Sequence, residues 1–323
     1  MEKNNREENK LEQNQNNKER KRISINGFEA QISPITAAFI GLIGVFFLYQ
    51  FVGGLFTLII FGFDLNNAPV NGLRIMTMIS QLFFILLPAI LFSKWFYNDT
   101  KKILKLKIPN YKEIVLFLIG IFVLTPLLQN YVSIQNHFIE KMAEISPFIN
   151  SIKSLLDSLN SLVEKSYKNL LSAKTIYDAV FVIFVVSIVP AVSEEIMFRG
   201  FIQGSFELKL RARWAIIITA VFFGFYHFNP YGLVPLIILG LYFSFAAYMS
   251  RSIVVPMILH FTNNFIAIIM YFIIGDKDLI DPSASGVLDI RMSFFLLILF
   301  AVIFIGIVYL IFGYYRKKKM EFI

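Results

Sequence analysis

An all-α integral membrane protein, a bundle of about eight transmembrane helices plus an extracytoplasmic amphipathic helix, is the fold class the sequence predicts. Three observations carry it. Hydrophobic residues make up 57% of the 323 and charged residues 16%, whereas a soluble domain is usually about 45–50% apolar and about 25% charged. Apolar runs near the roughly 20 residues needed to cross a bilayer recur from end to end. Lys and Arg gather in every second connection between those runs, as they do in chains oriented by positive cytoplasmic loops.

Taken in order, residues 1–30 open with "MEKNNREENKLEQNQNNKERKRIS". That stretch is too polar to bury a core, and a disordered cytoplasmic tail is expected. Residues 31–129 hold the first three expected spans, at 34–63, 73–97 and 111–129. The segment 130–176 is expected outside the membrane. Within it Ile152, Leu155, Leu156, Leu159, Leu162 and Val163 recur at helical spacing, with Lys153, Asp157 and Lys165 between them. This pattern predicts an amphipathic helix that lies on the outer interface or caps the bundle. Residues 177–275 hold four more spans, at 177–206, 213–229, 233–250 and 253–275. A last span at 292–315 and a basic tail complete 276–323.

Orientation follows from charge. With the N-terminal tail inside, "KERKR", "KKILKLK", "KLRAR", "SRS" and "YYRKKK" all fall on the cytoplasmic side. The last outer loop carries Asp276, Asp278, Asp281 and Asp289 against Lys277 and Arg291. Both termini are therefore expected in the cytoplasm. A composition heavy in Lys, Asn, Ile and Phe points to a bacterial cytoplasmic membrane. The net charge of +8 is divided among loops rather than gathered on one face, so the expected partner is the lipid bilayer and not nucleic acid. No cysteine is present, which excludes disulfides, thiolate nucleophiles and Cys zinc ligands.

Three polar intrusions break the apolar spans. The first is "SEEIMFRG", after the charge-free stretch 180–192. An ionised side chain at mid-membrane costs about 2.5–3.5 kcal/mol, so Glu194, Glu195 and Arg199 must be paired, neutral or facing water. Glu195 and Arg199 are four apart and share a helix face. Glu194 points about 100° away and has no such partner. Pro190, one turn earlier, removes the amide bond to the carbonyl of Val186 and bends the axis. The second intrusion is "FFGFYHFNP", with Phe223 and His227 on one face. The third is "ILHFTNNF", with His260 and Asn264 on one face. At a rise of about 1.5 Å per residue, Glu194, His227, His260 and Asn264 fall in one slab from mid-membrane to the cytoplasmic side.

These motifs, EExxxR, FxxxH and HxxxN in that order over about residues 177–275, resemble the CAAX-protease and bacteriocin-processing (Abi) family, which includes the type II CAAX prenyl endopeptidases. The resemblance implies an eight-helix intramembrane bundle that hydrolyses a peptide bond in a membrane-embedded or membrane-tethered peptide or protein, prenylated in some members. It implies that Glu194 activates a water with His227 assisting, that His260 and Asn264 stabilise the oxyanion, and that Glu195, Arg199 and Phe223 support the site. The residues themselves agree with that chemistry. Peptide hydrolysis needs a base for water and donors for the oxyanion, and neither a Ser–His–Asp set nor HExxH is present. No cofactor is expected. The mechanistic alternative is a divalent metal such as zinc on Glu194, His227 and His260. The functional alternatives are a non-catalytic scaffold or bacteriocin-immunity protein of the same fold, and a transporter with a midplane carboxylate.

Overall fold

A computed structural model describes residues 23–25, 28–63, 65, 67–274 and 290–320. The described residues are all-α apart from one small ladder. Strands β1 (Ile23–Ile25) and β2 (Phe28–Ala30) pair antiparallel, with Ile23 opposite Ala30. Ala30 also bridges Tyr97. Ordered backbone therefore begins inside the 1–30 segment expected to be disordered. The reason is burial, since Phe28 and Ala30 pack into the core beside Tyr97. Residues 1–22 of that expected tail, and most of the acidic outer loop at 276–291, lie outside the described residues.

Helices α1 (Pro34–Phe61) and α2 (Val70–Phe96) are the first two apolar spans. A short helix, α3 (Thr100–Ile103), follows. Helix α4 (Tyr111–Ile145) opens on a capping box in which Asn110 and Glu113 exchange side-chain and backbone hydrogen bonds. It runs 35 residues, about 52 Å, so it does not stop at 129. Residues 130–145, expected in the outer segment, continue the same helix. Two of their polar side chains find partners without breaking the helix: Asn130 donates to the Pro126 carbonyl, and Gln135 donates to the carbonyl of Tyr231. The turn comes only at Ser146.

Helix α5 (Pro147–Leu171) is the expected amphipathic helix, packed against α4. Leu156 and Val163 are half-buried, while Ile152, Leu155, Leu159 and Leu162 are exposed. Its far end is tied down by Arg74 of α2. The buried guanidinium donates to the carbonyls of Leu170 and Ser172 and to Asn71 Oδ1, with Asp178 at 3.9 Å. Helix α6 (Ile176–Glu207) then starts on a second capping box, Thr175 with Asp178. Helices α7 (Ala212–Tyr226), α8 (Leu233–Ser250), α9 (Val254–Ile274) and α10 (Ile290–Met320) complete the bundle. Seven of these helices are long and apolar enough to cross a membrane, and α7, with 15 residues, is shorter.

Three helices widen into π-turns, at 41–45 and 48–53 of α1, 82–86 of α2, and 184–188 and 196–202 of α6. Pro88 and Pro190 each follow such a turn two residues on. A proline ring clashes with the carbonyl four residues back, and a wider turn relieves that clash. The widened parts of α1, α2 and α6 pack on one another; Glu194 and Glu195 lie between the two widened parts of α6, and Arg199 lies within the second.

Candidate active site

Pro190 has a direct consequence for the site. It leaves the carbonyl of Val186 without its helical partner, and Asn264 of α9 donates to that carbonyl through Nδ2 at 3.1 Å. Asn264 Oδ1 accepts from Asn263 at 3.2 Å. The amide is thereby held against α6, and one Nδ2 proton remains for another acceptor.

The adjacent glutamates have different surroundings. Glu195 is fully buried. Its Oε1 accepts from Arg199 Nη1 at 2.7 Å and lies 2.8 Å from His260 Nδ1. Arg199, also fully buried, donates through Nη2 to the Gly240 carbonyl at 3.1 Å. Its guanidinium sits 4.3 Å from the Phe223 ring centroid, with Phe198 and Phe243 nearby. A buried ion pair persists only where further hydrogen bonds and good geometry offset desolvation, and here a histidine, a carbonyl and aromatic faces supply them. Glu194 is half-buried. Its Oε1 faces Gln81 Nε2 at 3.5 Å, and its Oε2 has no hydrogen-bond partner among the described residues.

His227 caps α7. Its Nδ1 lies 2.7 Å from the Phe223 carbonyl, which sets that nitrogen as the donor and leaves Nε2 as the acceptor. The turn that carries it is anchored on both sides. Tyr226 donates to the Leu42 carbonyl, and Gln50 donates to the Tyr226 carbonyl. Beyond it, Asn229 accepts from the Gly232 amide. Tyr231 donates to Asp157 of α5 at 2.5 Å, so α5 also braces this turn. The Phe223 ring stands edge-on to both imidazoles, with centroids 4.7 Å from His227 and 5.9 Å from His260, and His260 stacks on Phe243. His227 lies within electrostatic reach of Glu194, His260 and Arg199.

The bundle thus brings Glu194, Glu195, Arg199, Phe223, His227, His260 and Asn264 to one region. Sequence reasoning placed Glu195 with Arg199 alone, whereas in the folded chain it also holds His260. Spacing could not show this, because 65 residues separate the two. Gln81, Ser193, Tyr49 and Tyr167 were missed. Gln81 is buried, and its Oε1 accepts from Ser193 Oγ at 2.8 Å. Tyr49 hydrogen-bonds Gln81. The α5 residue Tyr167 lies close enough to Glu194 to feel its charge. A lone Gln in an apolar span was the only available signal. Among the described residues, no group of three or more His, Asp and Glu is placed to hold a metal. Glu194, His227 and His260, the trio expected for zinc, do not form such a group. The chemistry considered below runs on the chain's own side chains.

Fold and site together define a multi-pass membrane protein with carboxylate, imidazole and amide groups converging between its helices. The family model described as Type II CAAX prenyl endopeptidase Rce1-like matches residues 176–266, which bears out the resemblance carried by the three motifs. No curated protein and no solved structure matches the chain. The matched residues run from the start of α6 through Asn264 and include all seven expected site residues. Gln81, Tyr49 and Tyr167 lie outside them.

Proposed function

We propose that the chain is an intramembrane endopeptidase that hydrolyses a peptide bond in a membrane-embedded or membrane-tethered substrate. The supporting observation is the inequality of the two glutamates within the segment that matches a protease family. Glu195 is fully buried, with one oxygen shared by Arg199 and His260, while Glu194 is half-buried and meets only the Gln81 amide, at 3.5 Å, among the described residues. Glu194 takes a proton from water as the hydroxide oxygen attacks the scissile carbonyl carbon. Nε2 of His227 orients that water. The negative charge that develops on the carbonyl oxygen is met by the spare Nδ2 proton of Asn264 and by His260. Glu195 beside His260 Nδ1 fixes the orientation of that ring toward the oxyanion. On collapse of the tetrahedral species the C–N bond breaks. The proton held by Glu194 passes to the leaving amine, so that water has added OH to one product and H to the other.

The reading includes placement in a bacterial cytoplasmic membrane with both termini inside, on the charge distribution of the loops. A prenylated C-terminal tail is one substrate class that fits the family description. The decisive experiment compares peptides in membrane fractions of cells carrying the wild-type chain or Glu194→Gln. Substrates should accumulate uncut, and their shortened products vanish, only in the variant. Identical peptide profiles in the two strains would overturn the reading.

A further inference from the structure

The two ends of the bundle close on the candidate site differently. At the end that carries the α6–α7 and α8–α9 turns, residues 197–206 of α6 are buried without a break. A helix buried on every face is surrounded by packed elements, and the contacts here are specific. An added Cβ at Gly204 would lie 2.6 Å from the Ile103 carbonyl oxygen. Gln203 donates to the Ser244 carbonyl at 3.0 Å and to Glu207 at 2.7 Å. Glu207 pairs with Lys105 at 2.9 Å. The α3–α4 connection that carries Lys105 is strapped to the α8–α9 turn. There the Ile253 amide donates to the Lys105 carbonyl, and Ser252 Oγ donates to the Lys107 carbonyl. Packed protein therefore fills the way from Glu195 to this basic end.

At the other end the site is roofed rather than filled. Helix α7 has 15 residues, about 22 Å, and stops at His227 before crossing a hydrocarbon core of about 30 Å. The turn at 227–232 therefore lies near the depth of the site. Helix α5, packed on α2 and α4, comes down to meet it: Asp157 accepts from Tyr231 at 2.5 Å. Farther along α5, Tyr167 is 43% exposed. It lies within electrostatic reach of Glu194 and of Tyr49 from α1, and Tyr49 is within reach of Glu194 as well. Gln50, His227 and Asn263 are half-buried on this side. Polar side chains left half-exposed between membrane spans face water and not hydrocarbon, where an unmet polar group is costly.

We infer that the scissile bond reaches Glu194 from the α5 end of the bundle, between Tyr49 of α1 and Tyr167 of α5, and that the substrate is a membrane-anchored peptide or protein whose cut segment lies on that side, outside the cytoplasm. The inference rests on the peptidase reading and adds to it the direction of approach. The order of residues along α6 agrees with it, because half-buried Glu194 comes just before the filled stretch at 197–206. Two phenols beside the carboxylate offer hydroxyls to a peptide backbone and ring faces to apolar side chains. The distribution of Lys and Arg places the α5 end outside. A tail that approaches from the basic end, prenylated or not, meets residues 197–206 and the Lys105–Glu207 strap instead.

The direction can be read without a substrate, because the chain has no cysteine of its own. Single-cysteine variants of the full chain are exposed to a small, charged, membrane-impermeant thiosulfonate in intact cells and in inside-out vesicles. Ser158→Cys and Arg211→Cys mark the two sides. Glu194→Cys, Asn263→Cys and Tyr49→Cys should react from the Ser158 side only, and Gln203→Cys from neither. Glu194→Cys that reacts only from the Arg211 side, or from neither, overturns the inference, as does Gln203→Cys reacting from the Arg211 side. Thermal melts identify variants that fold, and if Glu194→Cys does not, Asn263→Cys and Tyr49→Cys decide. A second readout comes from the peptides that accumulate uncut with Glu194→Gln. Their cut sites should map to segments outside the cytoplasm, and cut sites in cytoplasmic tails, prenylated ones included, overturn the inference. Failure of the peptidase reading shows differently, as identical peptide profiles in the two strains whatever the labelling pattern.

Discussion

At the residue scale the adjacent glutamates do different work, and their substitutions should separate. Glu194→Gln preserves shape and removes the base. Turnover of an identified substrate should be abolished while the detergent melting temperature stays near wild type. Glu195→Gln leaves buried Arg199 and His260 facing a neutral amide oxygen in place of the carboxylate. Removing one partner of a buried pair costs about 3–5 kcal/mol, so lower expression and a lower melt are expected, with activity lost partly through folding. The double change Glu195→Gln with Arg199→Gln should recover stability relative to Glu195→Gln alone, but not activity, because His260 still lacks its carboxylate. A stable, inactive Glu195→Gln beside an active Glu194→Gln would reverse the roles. Metal removal is a second check at this scale. Activity should survive dialysis against a strong chelator, and loss that zinc restores would favour the metal alternative.

At the element scale the irregularities of α6 are tied to its chemistry. Pro190 follows a π-turn, frees the Val186 carbonyl, and Asn264 takes it. Pro190→Ala restores an amide that competes with Asn264 for that carbonyl. Helix α6 should become more regular and no less stable, yet Glu194 would shift relative to His227 and Asn264. A displacement of about 1 Å can cost on the order of 10²-fold in rate, so turnover should fall by about that factor while the melting temperature holds or rises. Equal turnover in the two proteins would detach the kink from the mechanism. Packing between elements is similarly tight elsewhere. At Gly120 of α4 an added Cβ would collide with the Tyr242 hydroxyl, which donates to the Phe117 carbonyl. Overpacking of this kind costs about 1–3 kcal/mol, and Gly120→Ala should lower the melt accordingly, with Tyr242→Phe in the same chain restoring part of it.

At the scale of the whole molecule the prediction is topological. The chain has no cysteine, so single cysteines report their side of the membrane without background. Those placed at Lys102, Arg211 and Lys317 should react from the cytoplasm, and one at Ser158 from outside. External labelling at Arg211 would invert the site.

The sequence by itself determined what composition and spacing can encode. Apolar length specified the spans, the alternation of Lys and Arg specified their expected orientation, and four-residue spacing paired Glu195 with Arg199 and left Glu194 apart. Those are local quantities, set by helix rise, helix periodicity and the cost of charge in lipid. Where α4 ends was not legible, because polar residues at 129–135 look like the edge of a span when their partners on other elements are unseen. Nor were the roles of Gln81, Tyr49 and Tyr167, since a single polar side chain in an apolar helix has no periodicity to betray it. Only the tertiary structure decided that Glu195 holds His260 across 65 residues, that Asn264 occupies the carbonyl Pro190 sets free, and that α2 supplies an amide to Glu194. Each of these is a hydrogen bond between helices distant in sequence. Its existence depends on which faces the packed bundle turns toward one another, and no spacing along one strand of text records that.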